Sequence, residues 1–363
     1  MRARRQTFFR TVGLGLLAGA ALSMGPTATA QPGPAGPPQI DETLAPYAST
    51  ADSVKLPDGR MLHFVCMGKG SPTVILTAGM GDFAGVAWSN IQPDMARITR
   101  VCAWDRPGWG LSDANTAPQT VETTTADLEA ALASGKIPGP YVMVGHSLGS
   151  YESLLYTDRH PDKVVGMVLV DGSIPDQTAL FAQAMPNQPA RDPAGDPMVQ
   201  RFHKCADDVR AGTAKANGPD PDRCFAYPPM WPQALRQALA AKVSNPVQFE
   251  AMASFAASAE GFSKQAVNPS RNYRDMPLIV LTSTIDPPPP PGVTLPPLTD
   301  QQKTQKAAMD VLWNRGHDEL AALSTRGVNA RVPGAHHYIQ RAKPQVVLDA
   351  VAEVVREARA AKP

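Results

Sequence analysis

The motif Gly145-His146-Ser147-Leu148-Gly149 constrains the fold more than any other stretch of the chain. It follows the apolar run Tyr141-Val142-Met143-Val144 and precedes a helical pattern, which predicts a strand that turns directly into a helix. Such a turn strains its middle residue, and the flanking glycines keep side chains out of the crowded space. Ser147 is therefore a candidate nucleophile at the carboxyl edge of a sheet. A helix-capping serine in a glycine-rich turn is the alternative interpretation.

The first 30 residues have the composition of an export signal. Four arginines precede an apolar stretch at residues 11–24, and Ala28-Thr29-Ala30 forms a small-residue cleavage site. Arg4-Arg5 followed by Phe8-Phe9 is similar to a twin-arginine signal, although the first phenylalanine lies one place late, so general secretion stays an alternative. The apolar stretch is short for a permanent anchor. We expect cleavage near Ala30 and a periplasmic or secreted protein.

Charge indicates which partners the mature chain can bind. Removal of residues 1–30 takes away four arginines and no acidic residue, so the formal net charge changes from +1 to −3. Without a basic surplus the protein is poorly suited to hold nucleic acid or anionic lipid. We therefore expect a small-molecule substrate, no nucleic acid partner and no stable membrane anchor, while the oligomeric state has no signal in the sequence.

The order of β-rich and helical patterns predicts the fold class. Residues 31–50 are rich in Pro, Gly and Ala, and we expect a flexible lead-in without packed structure there. Beyond it, short β-rich runs alternate with helical patterns, which predicts an α/β fold with a mostly parallel sheet and helices on both faces. The strand candidates are residues 61–66, 73–78, 100–104, 141–145, 164–170, 278–281 and 328–332.

Residues 172–276 break this alternation. Their apolar residues have mostly helical spacing and Pro, Asp and Asn are frequent, so we expect an inserted cap between two core segments at 51–171 and 277–363. Most large apolar residues of this segment are expected to form the cap's own core, and some to line a pocket over Ser147. They are Phe181, Met185, Met198, Phe202, Met230, Trp231, Met252, Phe255 and Phe262.

A serine hydroxyl needs a base to accept its proton, and the chain has seven histidines. His336 and His337 follow the last strand candidate, so they fall on a loop at the same sheet edge as Ser147. His146 adjoins Ser147 in a tight turn, where neighbouring side chains point in different directions, so a packing role fits it better. Surface or helix positions fit the other histidines, which are His63, His160, His203 and His317.

A carboxylate must hold the imidazole in the correct tautomer. Asp286 ends the segment 278–285, one strand before the histidine pair, and Asp171 ends the earlier strand candidate at 164–170. Both residues follow strands at the expected edge, so both are candidates for the acid.

Five segments together resemble the α/β-hydrolase superfamily, in particular its capped esterases and its haloperoxidase-like and epoxide-hydrolase-like members. They are residues 73–81, 101–113, 145–149, 168–172 and 336–340. The resemblance implies a sheet of the eight-stranded type, with Ser147 as nucleophile and His337 as base in preference to His336. It also implies Asp286 as acid in preference to Asp171, because Asp286 lies nine positions after Pro277 as the family's spacing requires.

The resemblance also implies an oxyanion hole made of the backbone N–H groups of Met80 and Leu148. Ala78 stands where the family often has the histidine of a His-Gly-x motif, which leaves the support of this loop unexplained. Asp105 and Arg106 are expected to shape the turn that follows their strand rather than to act in chemistry.

Four cysteines in an exported chain favour disulfides. Cys205 and Cys224 lie in one polar segment and could close a short loop. The family's strand order makes Cys66 and Cys102 neighbours, so the resemblance implies that they pair, with buried free thiols as the alternative. No cysteine spacing is of the paired C-x-x-C type, so we expect no metal or redox site.

The function expected from these residues is that of an exported serine hydrolase that cleaves carboxylic esters through an acyl-enzyme, without cofactor or metal. A lactonase, amidase or perhydrolase could use the same triad. A non-catalytic binding protein with the same fold is the alternative from a different class.

Overall fold

A computed structural model describes residues 39–185, 192–289 and 293–361 of this chain. The predicted export signal therefore lies outside the described residues, as do residues 31–38 of the predicted lead-in. The strands are β1 (Val54–Lys55), β2 (Met61–Leu62), β3 (Phe64–Met67), β4 (Thr73–Thr77), β5 (Val101–Trp104), β6 (Tyr141–His146), β7 (Val164–Val170), β8 (Leu278–Ser283) and β9 (Val328–Val332).

Seven of these strands form one sheet in the order β3-β5-β4-β6-β7-β8-β9. β3 and β5 run antiparallel, and all the other neighbours run parallel. The prediction of a mostly parallel sheet is thus confirmed. The eight-stranded form is wrong for the described residues, because β1 and β2 pair with each other in a separate two-stranded sheet.

Helices cover both faces of the sheet. They are α1 (Ala84–Trp88), α2 (Gln92–Met95), α3 (Val121–Ala133), α4 (Gly149–Arg159), α5 (Gln177–Ala184), α6 (Pro197–Ala211), α7 (Gln233–Val243), α8 (Pro246–Ala257), α9 (Ala259–Gln265), α10 (Asp300–Ala321), α11 (Ile339–Ala342) and α12 (Pro344–Ala360). Among the described residues of the predicted cap, α5 to α9 supply the regular structure, as the helical spacing of that segment predicts.

The core has two layers because alternate residues of a strand point to opposite faces. On β4, Val74 and Leu76 join a cluster with α1, α2 and α12, whereas Ile75 between them joins a cluster with α3, α4 and α10. β4 is buried at every position, and β6 is likewise. Burial on both faces explains why these strands are continuous apolar runs rather than alternating ones.

The two disulfides predicted from the sequence are present. Cys66 of β3 lies directly opposite Cys102 of β5 and bonds to it, and Cys205 of α6 bonds to Cys224 in the loop that follows. No helix in the described part of the chain combines the length and the apolar character needed to cross a membrane.

The prediction of an unpacked lead-in is wrong for residues 42–48. They form a 3₁₀ helix, Glu42–Ala48, that buries Leu44 and Tyr47 against the core. The Tyr47 hydroxyl donates to Gln92 Oε1, and the Gln92 amide donates to the Val65 and Val101 carbonyls at the edge of the sheet. The composition of this stretch did not predict the helix. Two apolar residues, Leu44 and Tyr47, are enough to dock it against the core, although proline and alanine are frequent around them.

Replacement of Tyr47 by Ala is expected to lower the free energy of unfolding by about 3 to 5 kcal/mol, the usual loss for a large buried aromatic side chain. Urea unfolding at equilibrium measures this loss. Ile40→Ala, at a position that is 39% exposed, is the control and should change stability by about 0.5 kcal/mol or less. Equal effects of the two substitutions would mean that the 3₁₀ helix does not contribute to the core.

Candidate active site

The turn at Ser147 has the strained geometry that the sequence predicts. β6 ends at His146, α4 begins at Gly149, and Ser147 between them has a left-handed φ of 52°. A Cβ at Gly145 would lie 2.5 Å from the Gly149 carbonyl oxygen, and a Cβ at Gly149 would lie 2.6 Å from the Thr77 carbonyl oxygen. Because neither position has space for a side chain, the two glycines are required by the packing of this turn.

Ser147, His337 and Asp171 form a continuous chain of hydrogen bonds. Ser147 Oγ lies 2.8 Å from Nε2 of His337, and Nδ1 of His337 lies 2.7 Å from Oδ2 of Asp171. With a neutral imidazole, Nδ1–H donates to the carboxylate and Nε2 is left free to accept the serine proton. The Ser147 side chain therefore bonds to a base, which argues against the helix-capping interpretation.

The Asp171 carboxylate accepts more than the histidine proton. The backbone N–H of Ser283 donates to Oδ1 at 2.8 Å, its hydroxyl donates to Oδ2 at 2.9 Å, and the Trp313 indole N–H donates to Oδ1 at 3.2 Å. Burial alone would raise the pKa of Asp171, but the hydrogen bond and charge of His337 and the Ser283 N–H lower it below the ordinary value. The site thus favours an ionised carboxylate facing the imidazole.

Asp286, the preferred acid in the sequence analysis, does not reach His337. Its side chain is 67% exposed and pairs with Lys306 Nζ at 3.2 Å. β8 ends at Ser283, and the chain then turns outward, so a spacing counted from Pro277 places a carboxylate beyond the site rather than in it. The position that the acid was expected to fill is taken by Asp171, the alternative candidate, from the end of β7.

The two neighbouring histidines, His336 and His337, make different contacts. His337 contacts Ser147, whereas His336 is half-buried and its Nδ1 accepts the backbone N–H of Tyr338 at 3.2 Å. His146 has the packing role expected for it. It is buried, its Nε2–H donates to the His337 carbonyl at 3.1 Å, and the centroids of the two rings lie 4.8 Å apart.

None of the remaining histidines hydrogen-bonds to Ser147 in the described part of the chain. The expected surface or helix position is wrong for His63, which is buried between β2 and β3. His63 bonds to Asp105, and His203 bonds to Glu250 on the cap. His317 has a supporting role that the sequence did not predict. It is fully buried and bonds to the carbonyl of Gly172, the residue directly after Asp171. Like Ser283 and Trp313, it supports Asp171 from a distant part of the chain, and no local motif marks it.

Residues 78–81 lie against Ser147. A Cβ at Gly79 would be 3.3 Å from Ser147 Cβ, so the loop approaches the serine at van der Waals distance. Among the described residues, no acceptor bonds to the backbone N–H of Met80 or to that of Leu148. Both groups are thus available to an anion formed at the serine.

A cavity of about 620 Å³ opens on the other side of the histidine. Asp171 and His337 line its inner end, and Phe181 and Trp313 contribute aromatic walls. The expectation that most of the large apolar residues in the cap form its own core is wrong. Four of the nine lie in one cluster, but that cluster also contains Trp109, Leu148 and Tyr151 of the core segment; the four are Phe202, Met252, Phe255 and Phe262. Met198 and Met230 are exposed, and Trp231 packs on Phe83.

Comparison with known proteins identifies a family. A family model described as alpha/beta hydrolase fold matches residues 72–299. An uncharacterized protein of Schizosaccharomyces pombe is 42% identical over 94 residues, which cover 26% of this chain and 17% of that protein. The chain spans a fifth or less of the length of the first curated relatives that it matches.

Solved structures share the fold at low identity. A thermophilic esterase from Thermogutta terrifontis is 18% identical with a TM-score of 0.50, over 84% of this chain and 98% of the esterase. An enol-lactonase from Burkholderia xenovorans is 15% identical with a TM-score of 0.51, over 84% of this chain and 99% of the lactonase. At these identities the likeness shows the fold alone.

The pH dependence of stability should report the burial of His146. Burial and the nearby charge of His337 lower its pKa to about 3 from the ordinary 6.5. As pH falls below 6.5, the unfolded chain therefore binds a proton that the native protein excludes. The free energy of unfolding should therefore fall as the pH drops below 6.5. His146 should contribute up to about 1.4 kcal/mol of this loss per pH unit.

Urea unfolding between pH 7 and pH 4.5 measures this slope. His146→Gln keeps an amide donor for the His337 carbonyl but removes the titrating ring, so its slope should be shallower than that of the wild type by up to one proton. His203→Gln makes the same replacement at a side chain that is 55% exposed, so the difference in slope between the two variants isolates the effect of burial. An unchanged slope in His146→Gln would show that this residue is not the buried neutral base.

Proposed function

The chain belongs to the α/β-hydrolase family, and from that premise we propose that it is an exported serine hydrolase that cleaves carboxylic esters. The observation that carries the proposal is the chain of hydrogen bonds from Ser147 through His337 to Asp171, with distances of 2.8 and 2.7 Å. A buried, hydrogen-bonded carboxylate, an imidazole and a serine on a strained turn are the parts that acyl transfer to serine requires.

The proposed reaction uses two acyl transfers. Ser147 Oγ attacks the ester carbonyl carbon while its proton passes to Nε2 of His337, and Asp171 stabilises the imidazolium. The backbone N–H groups of Met80 and Leu148 stabilise the oxyanion of the tetrahedral intermediate. His337 returns the proton to the leaving oxygen, and the alcohol departs. Water that loses a proton to the same Nε2 then attacks the acyl-enzyme carbonyl. His337 returns that proton to Ser147 Oγ as the bond between Oγ and the acyl carbon breaks, which releases the acid and regenerates Ser147.

Two disulfides support the exported location, because disulfides persist in oxidising compartments and are rare in the cytosol. Lactones are cyclic esters that the same atoms would open, so they belong among the substrates to be tested. Amides and peracid formation use the same nucleophile and base.

The test is a hydrolysis screen of aryl and alkyl esters, lactones and amides with three variants. Ser147→Ala should abolish hydrolysis. Asp171→Asn should lower kcat by about 10³ to 10⁴ with little change in KM, because a neutral amide stabilises neither the tautomer nor the imidazolium. Asp286→Asn is the matched control and should stay within about twofold of the wild type, since its carboxylate faces Lys306 and solvent.

The outcomes separate the function from the assignment of the acid. No hydrolysis by folded wild type, together with no labelling of Ser147 by a fluorophosphonate, would contradict the proposed function. Full activity of Asp171→Asn with loss in Asp286→Asn would keep the function and overturn the choice of Asp171.

We also propose that the cavity beside His337 accepts the leaving alcohol. The leaving oxygen must lie within hydrogen-bond distance of Nε2 to receive its proton, so the alcohol extends from the histidine side. The described lining of the cavity includes His337 and Asp171 but not Ser147, Leu148 or any residue of the 78–81 loop. The cavity therefore lies beyond the imidazole from the serine, and an alcohol would reach it by extending past His337. Its apolar walls, which include Phe181, Met309 and Trp313, suit a bulky aryl or alkyl alcohol.

Met309→Trp narrows this cavity and should lower kcat/KM for naphthyl acetate by roughly tenfold or more relative to methyl acetate. Val311→Trp adds the same ring on an outer face of α10, where Val311 is 65% exposed, and should change neither ester by more than about twofold. Steady-state kinetics with both esters measure the ratio. An equal loss for the two esters in Met309→Trp would rule out this location of the alcohol.

A further inference from the structure

Arg106 is a buried arginine that no step of the proposed reaction uses. It follows β5, its side chain is 4% exposed, and it pairs with Glu152 of α4, which is fully buried. Its Nε donates to Glu152 Oε1 and its Nη2 donates to Oε2 at 2.7 Å. Thr124 adds a further hydrogen bond to Glu152, so the carboxylate is satisfied and the charge of the arginine is compensated within the core.

Two of the three remaining N–H groups of the guanidinium bond to the 78–81 loop. Nη2 donates to the Ala78 carbonyl at 2.8 Å, and Nη1 donates to the Gly79 carbonyl at 3.0 Å. The Gly79 carbonyl and the Met80 N–H belong to the same peptide unit. Because that unit is planar and trans, fixing the direction of its carbonyl also fixes the opposite direction of its N–H.

We infer that Arg106 is a positioning residue for the oxyanion hole. By bonding to the Gly79 carbonyl it aims the Met80 N–H toward the serine side, and its positive charge polarises the peptide so that the N–H is a stronger donor. This inference rests on the proposed function. It also explains how the loop is held although Ala78 stands where related chains often have a histidine.

Glu152 connects Arg106 to the helix that begins next to Leu148. It lies in the first turn of α4, the helix whose N-cap is Leu148, so the ion pair connects the loop that carries Met80 with the element that carries the second N–H donor. The Phe255 ring of α8 lies 5.4 Å from the guanidinium carbon and contributes to shielding it. In a dry, low-dielectric setting a fixed charge acts on the peptide with little screening by water.

Arg106→Lys tests the inference. A lysine keeps the charge next to Glu152, but one ammonium cannot reproduce the planar fork that bonds to a carboxylate and two carbonyls at once. We expect kcat for an aryl ester to fall by about 10-fold to 100-fold with KM within about threefold of the wild type, because the oxyanion forms only after binding. A trifluoromethyl ketone forms an oxyanion when Ser147 Oγ adds to its carbonyl carbon. The affinity of the enzyme for this inhibitor should fall in parallel with kcat/KM.

Arg271 offers a matched control, because it lies in the loop after α9 and pairs with a carboxylate of α4, the helix that also carries Glu152. It is 3% exposed, pairs with Asp158 at 2.7 Å and donates to the Ala266 carbonyl at 2.9 Å, so it has the same kinds of partner as Arg106 but none in the 78–81 loop. Arg271→Lys should lower the melting temperature by a similar amount and leave kcat and inhibitor affinity per folded enzyme unchanged. A purely structural role for Arg106 predicts equal kinetics in the two lysine variants, and that result would overturn the inference.

A second variant covers the case in which Arg106→Lys does not fold. The double replacement Arg106→Met with Glu152→Met removes both buried charges, so neither is left unpaired. It should show the same loss of kcat and of inhibitor affinity, and wild-type values would overturn the inference. Ester hydrolysis that is absent in the wild type would instead contradict the proposed function, so the two failures are distinguishable.

Discussion

The left-handed backbone at Ser147 is the constraint on which the rest of the site depends. A residue with a side chain in this region costs on the order of 1 kcal/mol or more, so the surrounding structure must hold it. The Ser147 N–H donates to the Val170 carbonyl, and the Ser147 carbonyl accepts from the backbone N–H groups of Ser150 and Ser173. The serine is thus fixed by backbone bonds to the next strand and the next helix, before its side chain makes any contact.

These bonds also explain where the carboxylate lies. Asp171 has a left-handed φ of 44°, and it stands between Val170, which accepts from Ser147, and the turn that contains Ser173. The two strained turns therefore support each other across the β6–β7 pair, and the distance between nucleophile and carboxylate follows from strand register. Asp286 has no such tie, because it lies beyond the end of β8 on an outward-turning segment.

The sequence predicted those features that are marked by residues close together in the chain, and it did not predict those that depend on distant residues. Ser147 could be singled out because it directly follows a strand that has its own apolar run. The histidine pair could be singled out because it lies on the loop after the last strand candidate, at the same sheet edge, and the family resemblance then favoured His337. The choice between Asp171 and Asp286 could not be made, since both follow strands at the same edge. What distinguishes them are donors that lie 112 and 142 residues from Asp171 in the chain, Ser283 and Trp313, and only the fold brings these together. Most strands of the large sheet were predicted for the same local reason as Ser147, but the candidate at 61–66 divides at His63 into β2 and β3, and β1 was not predicted. The docking of Tyr47 depends on Gln92, 45 residues away.

The two sides of the candidate site differ in how they are held. On the side of Met80 the loop is tied to a buried ion pair and covered by cap side chains, so its groups have little freedom to move. On the side of His337 the chain turns outward at Asp286, and a cavity is present there. It is bounded largely by α10 and the segment after β8. In the proposed reaction, a rigid donor side suits the oxyanion, because its charge would form at the same place for every ester. An open histidine side suits the part that varies between substrates, so selectivity should arise there rather than around the oxyanion.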